Sequence, residues 1–379
     1  MRVSGPRFLA IVITVACVSS AVANPTRHPI GTAIANTQVL PTMPPIERLF
    51  ISGHSLTDPP LASNLVLMSQ SLGGPRLQWN MQSMQGSSIH ERTRGERPEH
   101  AYRRGANRDG ANMNVLDEWR HPATVQGGRY DTLLVTERHG VLSSLTWQHT
   151  LESLQGVNDQ FVQANPRGRT WFFEAWLGID DKNNPARWIA YERAASPVWR
   201  CVVARVNASI AAQGRSDRVQ SIPTGAALVT LVERALQGKV AGISGGRPRQ
   251  VVDRLLSDNV HLTPWGSYFM ASVVYAALWG RSPEGAAAPA DVPPDVAASL
   301  QHEAWGFVDA HQASVQMPSM QSCRDALKQG FITQHWSYVR DTQWAPEKGR
   351  PQAYLDALRQ WFGWQLRIRS RGPDNPFRD

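Results

Sequence analysis

The sequence predicts a three-layer α/β/α fold with a central, mainly parallel sheet, followed by a helical C-terminal appendage. Short apolar runs alternate with longer amphipathic stretches, an order that produces a parallel sheet covered by helices on both faces. The 379 residues are 42% hydrophobic and 18% charged. That composition provides enough apolar material for a packed core and argues against wholesale disorder. No apolar run reaches the ~18–20 residues that a membrane-spanning helix needs.

Five short runs, rich in β-branched or aromatic residues or bounded by turn signals, are predicted to be strands. They cover residues 46–52, 77–81, 131–136, 170–179 and 218–222. Between and after them the apolar periodicity predicts helices over 58–72, 145–163, 197–213, 224–237 and 264–278. A threonine cap at Thr224 and the stop at Asn165-Pro166 support two of these assignments. Residues 86–112, polar and rich in Gly and Arg, are predicted to form a long loop.

The N-terminus has the three-part pattern of a secretory signal peptide. Arg2 and Arg7 precede an apolar stretch at 8–18, and Ala21-Val22-Ala23 is a small-x-small cleavage site. We therefore expect a signal peptide over 1–23, an extended lead-in over 24–45, and a periplasmic or secreted protein. The alternative is a lipoprotein signal using Cys17, but the leucine-like residue expected three positions earlier is missing.

The rest of the chain divides by composition into three parts. Residues 46–280 carry the α/β pattern, residues 281–294 form a Pro/Ala linker, and residues 295–379 contain two or three predicted helices. After signal cleavage only Cys201 and Cys323 remain. In an oxidising compartment they could form one disulfide, or they could be two unrelated buried thiols. Both readings stay open at the level of sequence.

The formal net charge is +8, from 39 Lys and Arg against 31 Asp and Glu. The basic residues are almost all arginines, and they are scattered through the chain, apart from a loose cluster between Arg92 and Arg108. Scattered arginines do not form the basic face typical of nucleic-acid binding. We therefore expect no nucleic-acid partner and favour an anionic surface or polymer. We also expect no integral membrane segment after cleavage.

Two short blocks at opposite ends of the α/β region carry residues suited to nucleophilic catalysis. Ser55 directly follows a predicted strand, at the sheet edge where α/β proteins bind ligands, and Gly53 lets the backbone turn sharply there. A serine hydroxyl needs a base to take its proton, and His261 can be that base. Asp258, three residues earlier, can orient the imidazole, as in a Ser-His-Asp triad.

These blocks resemble those of the SGNH, or GDSL-like, hydrolases. The chain reads GHSLTD at 53–58 and DNVHLTPWG at 258–266, and the resemblance covers roughly residues 46–280. The family has a flavodoxin-like α/β/α fold. The resemblance implies that Ser55 is the nucleophile and a first oxyanion donor. It implies that His261 is the base and Asp258 its orienting acid.

The family's second block supplies a glycine N–H to the oxyanion hole, and Gly86 is the position that matches it best. Its third block, Gly-x-Asn-Asp after the third strand, is replaced here by Glu137-Arg138-His139-Gly140. A literal Gly156-Val157-Asn158-Asp159 lies inside a predicted helix, and we read it as a coincidence. The expectation is an oxyanion hole that is incomplete or rebuilt, with Glu137, Arg138 and His139 as candidate lining residues. His54 stands where the family usually has Asp.

The sequence thus predicts an exported serine esterase that removes O-acyl groups, above all O-acetyl, from a polysaccharide. The acylated carbohydrate is predicted from export, from the tryptophan content and from the resemblance; aromatic rings stack on sugar faces, and Trp265 is the first candidate. No metal or cofactor is implied. Two alternatives stay open: a polysaccharide O-acyltransferase on the same fold, and a non-catalytic glycan-binding or assembly factor for exopolysaccharide secretion.

Overall fold

A single sheet of five parallel strands lies at the centre of the fold. The strands are β1 (Arg48–Gly53), β2 (Gln78–Ser83), β3 (Thr132–Thr136), β4 (Arg169–Phe173) and β5 (Val219–Ile222). Their spatial order is β2-β1-β3-β4-β5, and every neighbouring pair is parallel. All five residues of β3 are buried, as expected for a strand covered on both faces. The predicted α/β fold with a parallel sheet is confirmed.

The computed structural model describes residues 46–378 except 96, 98, 99, 126, 127 and 315. The predicted signal peptide (1–23) and lead-in (24–45) lie outside the described residues. In the part of the chain that is described, no helix is both long enough and apolar enough to cross a membrane.

Helices connect the strands and continue beyond the sheet. Up to the last strand they are α1 (Pro59–Ser71), α2 (Ile89–Thr93), α3 (Val115–Arg120), α4 (Val141–Trp147), α5 (Thr150–Ala164) and α6 (Ala186–Ala212). After it come α7 (Thr224–Leu236), α8 (Pro248–Asp253), α9 (Pro264–Trp279), α10 (Pro294–Ser314), α11 (Met320–Ala326), α12 (Ile332–Val339), α13 (Ala345–Lys348) and α14 (Arg350–Arg367).

The helices form two groups. One contains α1 and α9, which pack against each other, and the other contains α3, α5 and α6, with α5 contacting both others. Connections between parallel strands are right-handed. The connection through α1 leads from β1 to β2, whereas the connection through α5 leads the opposite way across the sheet. The two groups therefore cover opposite faces of the sheet.

Two predicted helices differ from the structure for local reasons. The stretch predicted at 145–163 is two helices, α4 and α5, because His149 adopts a left-handed backbone with φ of 47°. The helix predicted to begin at Pro197 starts eleven residues earlier, and Pro197 lies inside α6. A proline inside a helix removes a hydrogen bond. Burial of Trp188 and Tyr191 on the preceding turns holds α6 together in spite of that loss.

The predicted threonine cap of α7 is wrong. Thr224 lies inside the helix, Pro223 precedes it, and no side chain caps the N-terminus. The Thr224 hydroxyl instead donates a hydrogen bond to the carbonyl oxygen of Glu174, directly after β4. The hydroxyl therefore joins α7 to the sheet rather than satisfying the helix's own N–H groups.

The C-terminal region is joined to the α/β part by packing and by a covalent bond. α10 packs along α9, and Cys201 of α6 forms a disulfide with Cys323 of α11. Residues 295–379 are predicted to hold two or three helices; the described part of this range holds five α-helices, α10 to α14, of which α10 begins at Pro294. In the predicted linker 281–294, Val292 is buried, so this segment packs against the domain.

Glu174 is a fully buried carboxyl at the end of β4. Ser196 of α6 and Ser221 of β5 each donate a hydroxyl hydrogen bond to it, at 2.7 and 2.6 Å. Burial raises the pKa of Glu174 from 4.5 to about 7, against the lowering effect of these hydroxyls and of Arg200. Between pH 4.5 and about pH 7 the folded state therefore binds more protons than the unfolded state. Its stability falls as pH rises through that window.

Replacing Glu174 with glutamine removes this titration. At each pH we compare the melting temperature of Glu174→Gln with that of the wild type. We expect this difference, variant minus wild type, to increase by a few degrees from pH 5 to pH 8, because only the wild type loses stability over that range. Thermal unfolding followed by circular dichroism measures it. Glu347→Gln, at an exposed position, is the control and should give a constant difference. A constant difference for Glu174→Gln as well would contradict the assigned pKa.

Candidate active site

The strand order places a crevice at the carboxyl ends of β1 and β3. Chain connections leave β1 and β3 in opposite directions across the sheet, and α/β proteins bind ligands outside the strand ends at such a point. Ser55 follows β1 by two residues, and Glu137 to His139 directly follow β3. Both segments singled out in the sequence therefore meet at one edge of the sheet.

Ser55 begins a single 3-10 turn, Ser55–Thr57, that leaves β1 sharply. The turn is fixed by Thr57, whose N–H and hydroxyl both donate to the carbonyl oxygen of His54, at 2.8 and 3.1 Å. Thr57 packs directly against the backbone of Gly53, and only glycine fits there, because a Cβ at position 53 would lie 1.9 Å from Thr57 Oγ1. The block around Ser55 is thus a tightly constrained strand-to-helix turn.

His54 is buried beneath Ser55 and links β1 to β3. Its Nε2 donates to the carbonyl oxygen of Glu137 at 2.9 Å, and its Nδ1 accepts a long hydrogen bond of 3.4 Å from the N–H of Leu56. This pattern requires a neutral ring with the proton on Nε2. Burial, with smaller contributions from His139 and Arg92, lowers the pKa of His54 well below 6.5, which agrees with the neutral form.

The second block forms a short loop that presents His261. Asp258 Oδ1 accepts hydrogen bonds from the N–H groups of Val260 and His261, at 2.7 and 2.8 Å, and Oδ2 accepts from His261 Nδ1 at 2.6 Å. Burial alone would raise the pKa of Asp258, but these hydrogen bonds outweigh it and lower the pKa to about 2. Asp258 is therefore a carboxylate at neutral pH, and it fixes the proton of His261 on Nδ1.

This loop is held against the segment that follows β4. The indole N–H of Trp176 donates to the carbonyl oxygen of Val260 at 3.0 Å. The backbone N–H of Ile179 donates to the carbonyl oxygen of Asn259 at 2.7 Å. The predicted strand at 170–179 ends at Phe173, because the chain turns away here to meet the loop. The position of His261 therefore depends on β4 as well as on its own loop.

Ser55 and His261 line the same pocket, which has a volume of ≈ 210 Å³. The His261 side chain remains 44% exposed, so solvent reaches the imidazole. Sequence reasoning missed the other lining residues, although GHSLTD and DNVHLTPWG contain three of them. They are Leu56, Asp58, Pro60, Leu61, Leu262, Ser267 and Met270.

Asp58 places a carboxyl among the described residues that line the pocket. Burial raises its pKa, against the lowering effects of Gln85 and His261, and Gln85 Nε2 donates to Asp58 Oδ1 at 3.1 Å. Gly86, the next residue, is exposed in a turn with φ of 64° and is not among the described residues that line the pocket. Within the described chain, no group of three or more His, Cys, Asp or Glu side chains could hold a metal ion.

A buried arginine holds the strand ends in place. Arg92, which the sequence suggested was part of a loose basic cluster, is fully buried. Its guanidinium donates to Ser52 Oγ at 3.0 Å, to Ser87 Oγ at 2.9 Å, and to the carbonyl oxygen of Thr136. Burial lowers the pKa of Arg92 to about 10, against the raising effect of Glu137, so the group stays charged at neutral pH. It ties β1 and β3 to the chain before α2.

Glu137 is buried behind the crevice and does not line the pocket. Its Oε1 accepts hydrogen bonds from the N–H groups of Ile89 and Arg138, at 3.2 and 2.7 Å. Burial raises the pKa of Glu137 to about 7, although these N–H groups and Arg92 lower it. Arg138 is exposed and is also not among the described lining residues. The expectation that these two side chains line the site is not met.

His139 is a third candidate after β3, but its free ring nitrogen cannot donate a hydrogen bond to an oxyanion. Its ring lies against that of His54, with centroids 4.9 Å apart and the ring planes tilted by 35°. Its Nδ1 donates to the carbonyl oxygen of Trp176 at 2.6 Å. Burial, with a smaller contribution from His261, lowers the pKa of His139. In the neutral ring Nε2 is then an acceptor only. His139 is therefore suited to receive a hydrogen bond, not to stabilise an oxyanion.

Several tryptophans belong to the core rather than to a surface groove. Trp119, Trp188 and Trp199 are fully buried and belong to the core. Trp265 is only partly buried, but its indole N–H donates to the carbonyl oxygen of Asp291 at 3.0 Å, and it is not among the described residues lining the pocket. It anchors the segment before α10 instead.

A second and wider pocket lies beside the Gln85 turn. It has a volume of ≈ 490 Å³ and is lined by Met84, Arg103, Arg104, Gly105, Asn112, Met113 and Asn114. The N–H of Met84 donates to the carbonyl oxygen of Gly53 at 3.0 Å, so one lining residue of this pocket is hydrogen-bonded to the end of β1. Its charged lining residues are arginines.

Comparisons with known proteins give one distant neighbour. No protein-family model matches the chain, and no curated protein matches it. Among solved structures, the crystal structure of a DUF4886 family protein from Bacteroides uniformis is similar, at 16% sequence identity and a TM-score of 0.47. The match covers 72% of this chain and 97% of that chain. A similarity this distant assigns neither a family nor a function.

The turn around Ser55 gives a direct structural test. We expect Gly53→Ala to destabilise the protein by about 1–3 kcal/mol, because its Cβ would collide with Thr57 and force the turn to shift. Urea unfolding measures the change. Gly156→Ala in α5, where an added Cβ meets nothing within 4 Å, is the control and should stabilise by about 0.5–1 kcal/mol. Equal stability of Gly53→Ala and the wild type would contradict the described turn.

Proposed function

We propose that the protein is an exported serine esterase of the SGNH type, acting on an O-acylated polysaccharide. The observation that carries the proposal is that Ser55 and an Asp258-paired His261 line one pocket at the sheet edge where α/β proteins bind ligands. The resemblance of GHSLTD and DNVHLTPWG to the blocks of that family supports the same assignment.

In the proposed reaction the Ser55 hydroxyl attacks the ester carbonyl while His261 Nε2 takes its proton. Asp258 keeps the other proton on Nδ1 and stabilises the imidazolium that forms. The tetrahedral intermediate collapses as the C–O bond to the sugar breaks, and His261 gives the proton to the leaving alkoxide oxygen, which becomes the free sugar hydroxyl. Water then attacks the acyl-enzyme with the same base, which releases the acid and restores Ser55.

The proposed oxyanion site depends on backbone donors. The N–H of Ser55 is the first, at the start of the 3-10 turn. The Gly86 N–H is the second donor that the resemblance implies, but Gly86 lies outside the described pocket lining. The segment after β3 offers no side-chain amide, and neutral His139 offers an acceptor. An oxyanion hole short of one donor lowers the rate by about 10²–10³ in known enzymes. We therefore propose a slow esterase.

The substrate is proposed to be an anionic glycan. The wider pocket, which is linked to the end of β1 through Met84, is lined by Arg103 and Arg104. These arginines suit the carboxylates of a polymer continuing past the ester. The net charge of +8 favours the same partner. Export is supported by the N-terminal pattern and by the Cys201–Cys323 disulfide, a bond that persists in oxidising compartments.

Hydrolysis of p-nitrophenyl acetate tests the chemistry. We expect Ser55→Ala to lower kcat/KM by about 1000-fold or more, because the nucleophile is lost. Ser267→Ala removes another hydroxyl from the same pocket and serves as the matched control, with activity within a few-fold of the wild type. Equal turnover by Ser55→Ala and the wild type would reject the proposal. Turnover only with an added sugar acceptor would favour the acyltransferase.

The glycan part of the proposal has its own test. We expect Arg104→Ala to lower kcat/KM on an acetylated uronic-acid polymer by up to about fivefold, since an exposed charge contact contributes up to about 1 kcal/mol. Activity on p-nitrophenyl acetate should not change. Arg120→Ala, at an exposed position at the end of α3, is the control. Equal activity of Arg104→Ala and the wild type on the polymer would remove the wider pocket from the substrate path.

A further inference from the structure

α14 carries an exposed apolar surface that the proposed esterase does not use. Seven large apolar side chains are exposed in the described residues, and five of them lie on this one helix. They are Tyr354, Leu355, Leu358, Phe362 and Leu366, exposed by 53, 62, 39, 60 and 73%. Single exposed apolar residues are ordinary on protein surfaces, but a contiguous group marks an interaction site.

The exposed residues form one stripe along the helix. Leu355, Leu358, Phe362 and Leu366 are spaced by three, four and four positions, which places them on one side. The side that packs against the protein is a different one, formed by Ala353, Ala357 and Trp364, all buried. α14 is therefore apolar on two sides, and only one of them is covered by the described chain. We call the four residues the α14 stripe.

The α14 stripe lies on an anchored helix rather than on a loose terminus. After α14 the chain folds back, with Phe377 fully buried and Asn375 donating to the carbonyl oxygen of Ser370 at 2.8 Å. Arg324 of α11 donates to the carbonyl oxygen of Phe377 at 2.8 Å. On the α4 side, Trp364 donates to Thr146 Oγ1 at 2.9 Å. Contacts on both sides therefore hold the stripe outward.

The charge around the α14 stripe indicates which partner it suits. Residues 350–371 contain five arginines and one acidic residue, Asp356. Arg359 and Arg369 are exposed, and Arg359 follows Leu358 directly along the helix. Long arginine side chains can keep their charge at an interface while an apolar stripe enters a less polar phase. Arg359 borders the stripe, and the segment around it carries a net positive charge. An apolar stripe bordered by basic charge is the pattern of a helix that lies on an anionic membrane surface.

We propose that α14 docks the protein on an anionic lipid surface, with the stripe inserted among the lipid headgroups and the arginines facing lipid phosphates. The helix would lie flat, because its opposite side is held by the protein. A second copy of the chain is a less suitable occupant, since two such helices would bring like charges together. The proposal does not depend on the esterase assignment.

Cosedimentation with lipid vesicles tests the docking. The exported protein is used with its N-terminus checked by mass spectrometry, because residues 8–18 are apolar and would bind vesicles themselves. We expect binding to vesicles containing phosphatidylglycerol, at least tenfold weaker binding to pure phosphatidylcholine, and release by 0.5 M salt. Phe362→Ser/Leu366→Ser should lose at least tenfold in binding. Met317→Ser, exposed by 54% outside α14, is the control and should bind like the wild type.

Two results would overturn the proposal. One is equal binding by the wild type and the double variant, and the other is no preference for anionic vesicles. A dimer of the wild type in analytical ultracentrifugation that is lost in Phe362→Ser/Leu366→Ser, with no vesicle binding, would assign the stripe to self-association instead. Activity on p-nitrophenyl acetate is measured in parallel and should be equal in both proteins. Loss of docking is thereby distinguished from failure of the esterase proposal.

Discussion

The site depends on one short hydrogen bond, from His261 Nδ1 to Asp258 Oδ2 at 2.6 Å. The other carboxylate oxygen holds the backbone of the same loop, so a single side chain fixes both the loop and the imidazole. Trp176 and Ile179 then fasten this loop to the segment after β4. Since the sheet also fixes Ser55, two stretches about 200 residues apart in the chain are brought to one pocket.

Beneath the pocket, buried polar groups join the ends of neighbouring strands. Arg92, His54 and Glu137 join the ends of β1 and β3 through backbone and side-chain hydrogen bonds. Buried polar groups are stable only when they are hydrogen-bonded. Arg92 and His54 have such partners, and Glu137 has them at Oε1, while its Oε2 has none among the described residues. The arrangement joins the strand ends firmly. His139 donates from Nδ1 to the carbonyl oxygen of Trp176, so its neutral ring has only the acceptor Nε2 left for another partner.

The sheet and the residues of the two blocks could be predicted, because strand runs such as 131–136 and the GHSLTD and DNVHLTPWG patterns are local features of the chain. What failed depends on distant contacts. Thr224 bonds to Glu174 rather than capping its helix, and Arg92 is buried although its neighbours in sequence are polar. Trp265 is tied to Asp291 rather than to a groove. No local pattern reports which backbone carbonyl a side chain will meet.

Labelling with a fluorophosphonate tests the central claim most directly, because this reagent reacts with a serine only when a neighbouring base has activated it. The modified residue is identified by mass spectrometry of the digested protein. The account predicts a single adduct on Ser55, and no adduct there when His261 is replaced by alanine. An unmodified Ser55 in the wild type, or labelling that persists without His261, would contradict a proton shared between these two side chains.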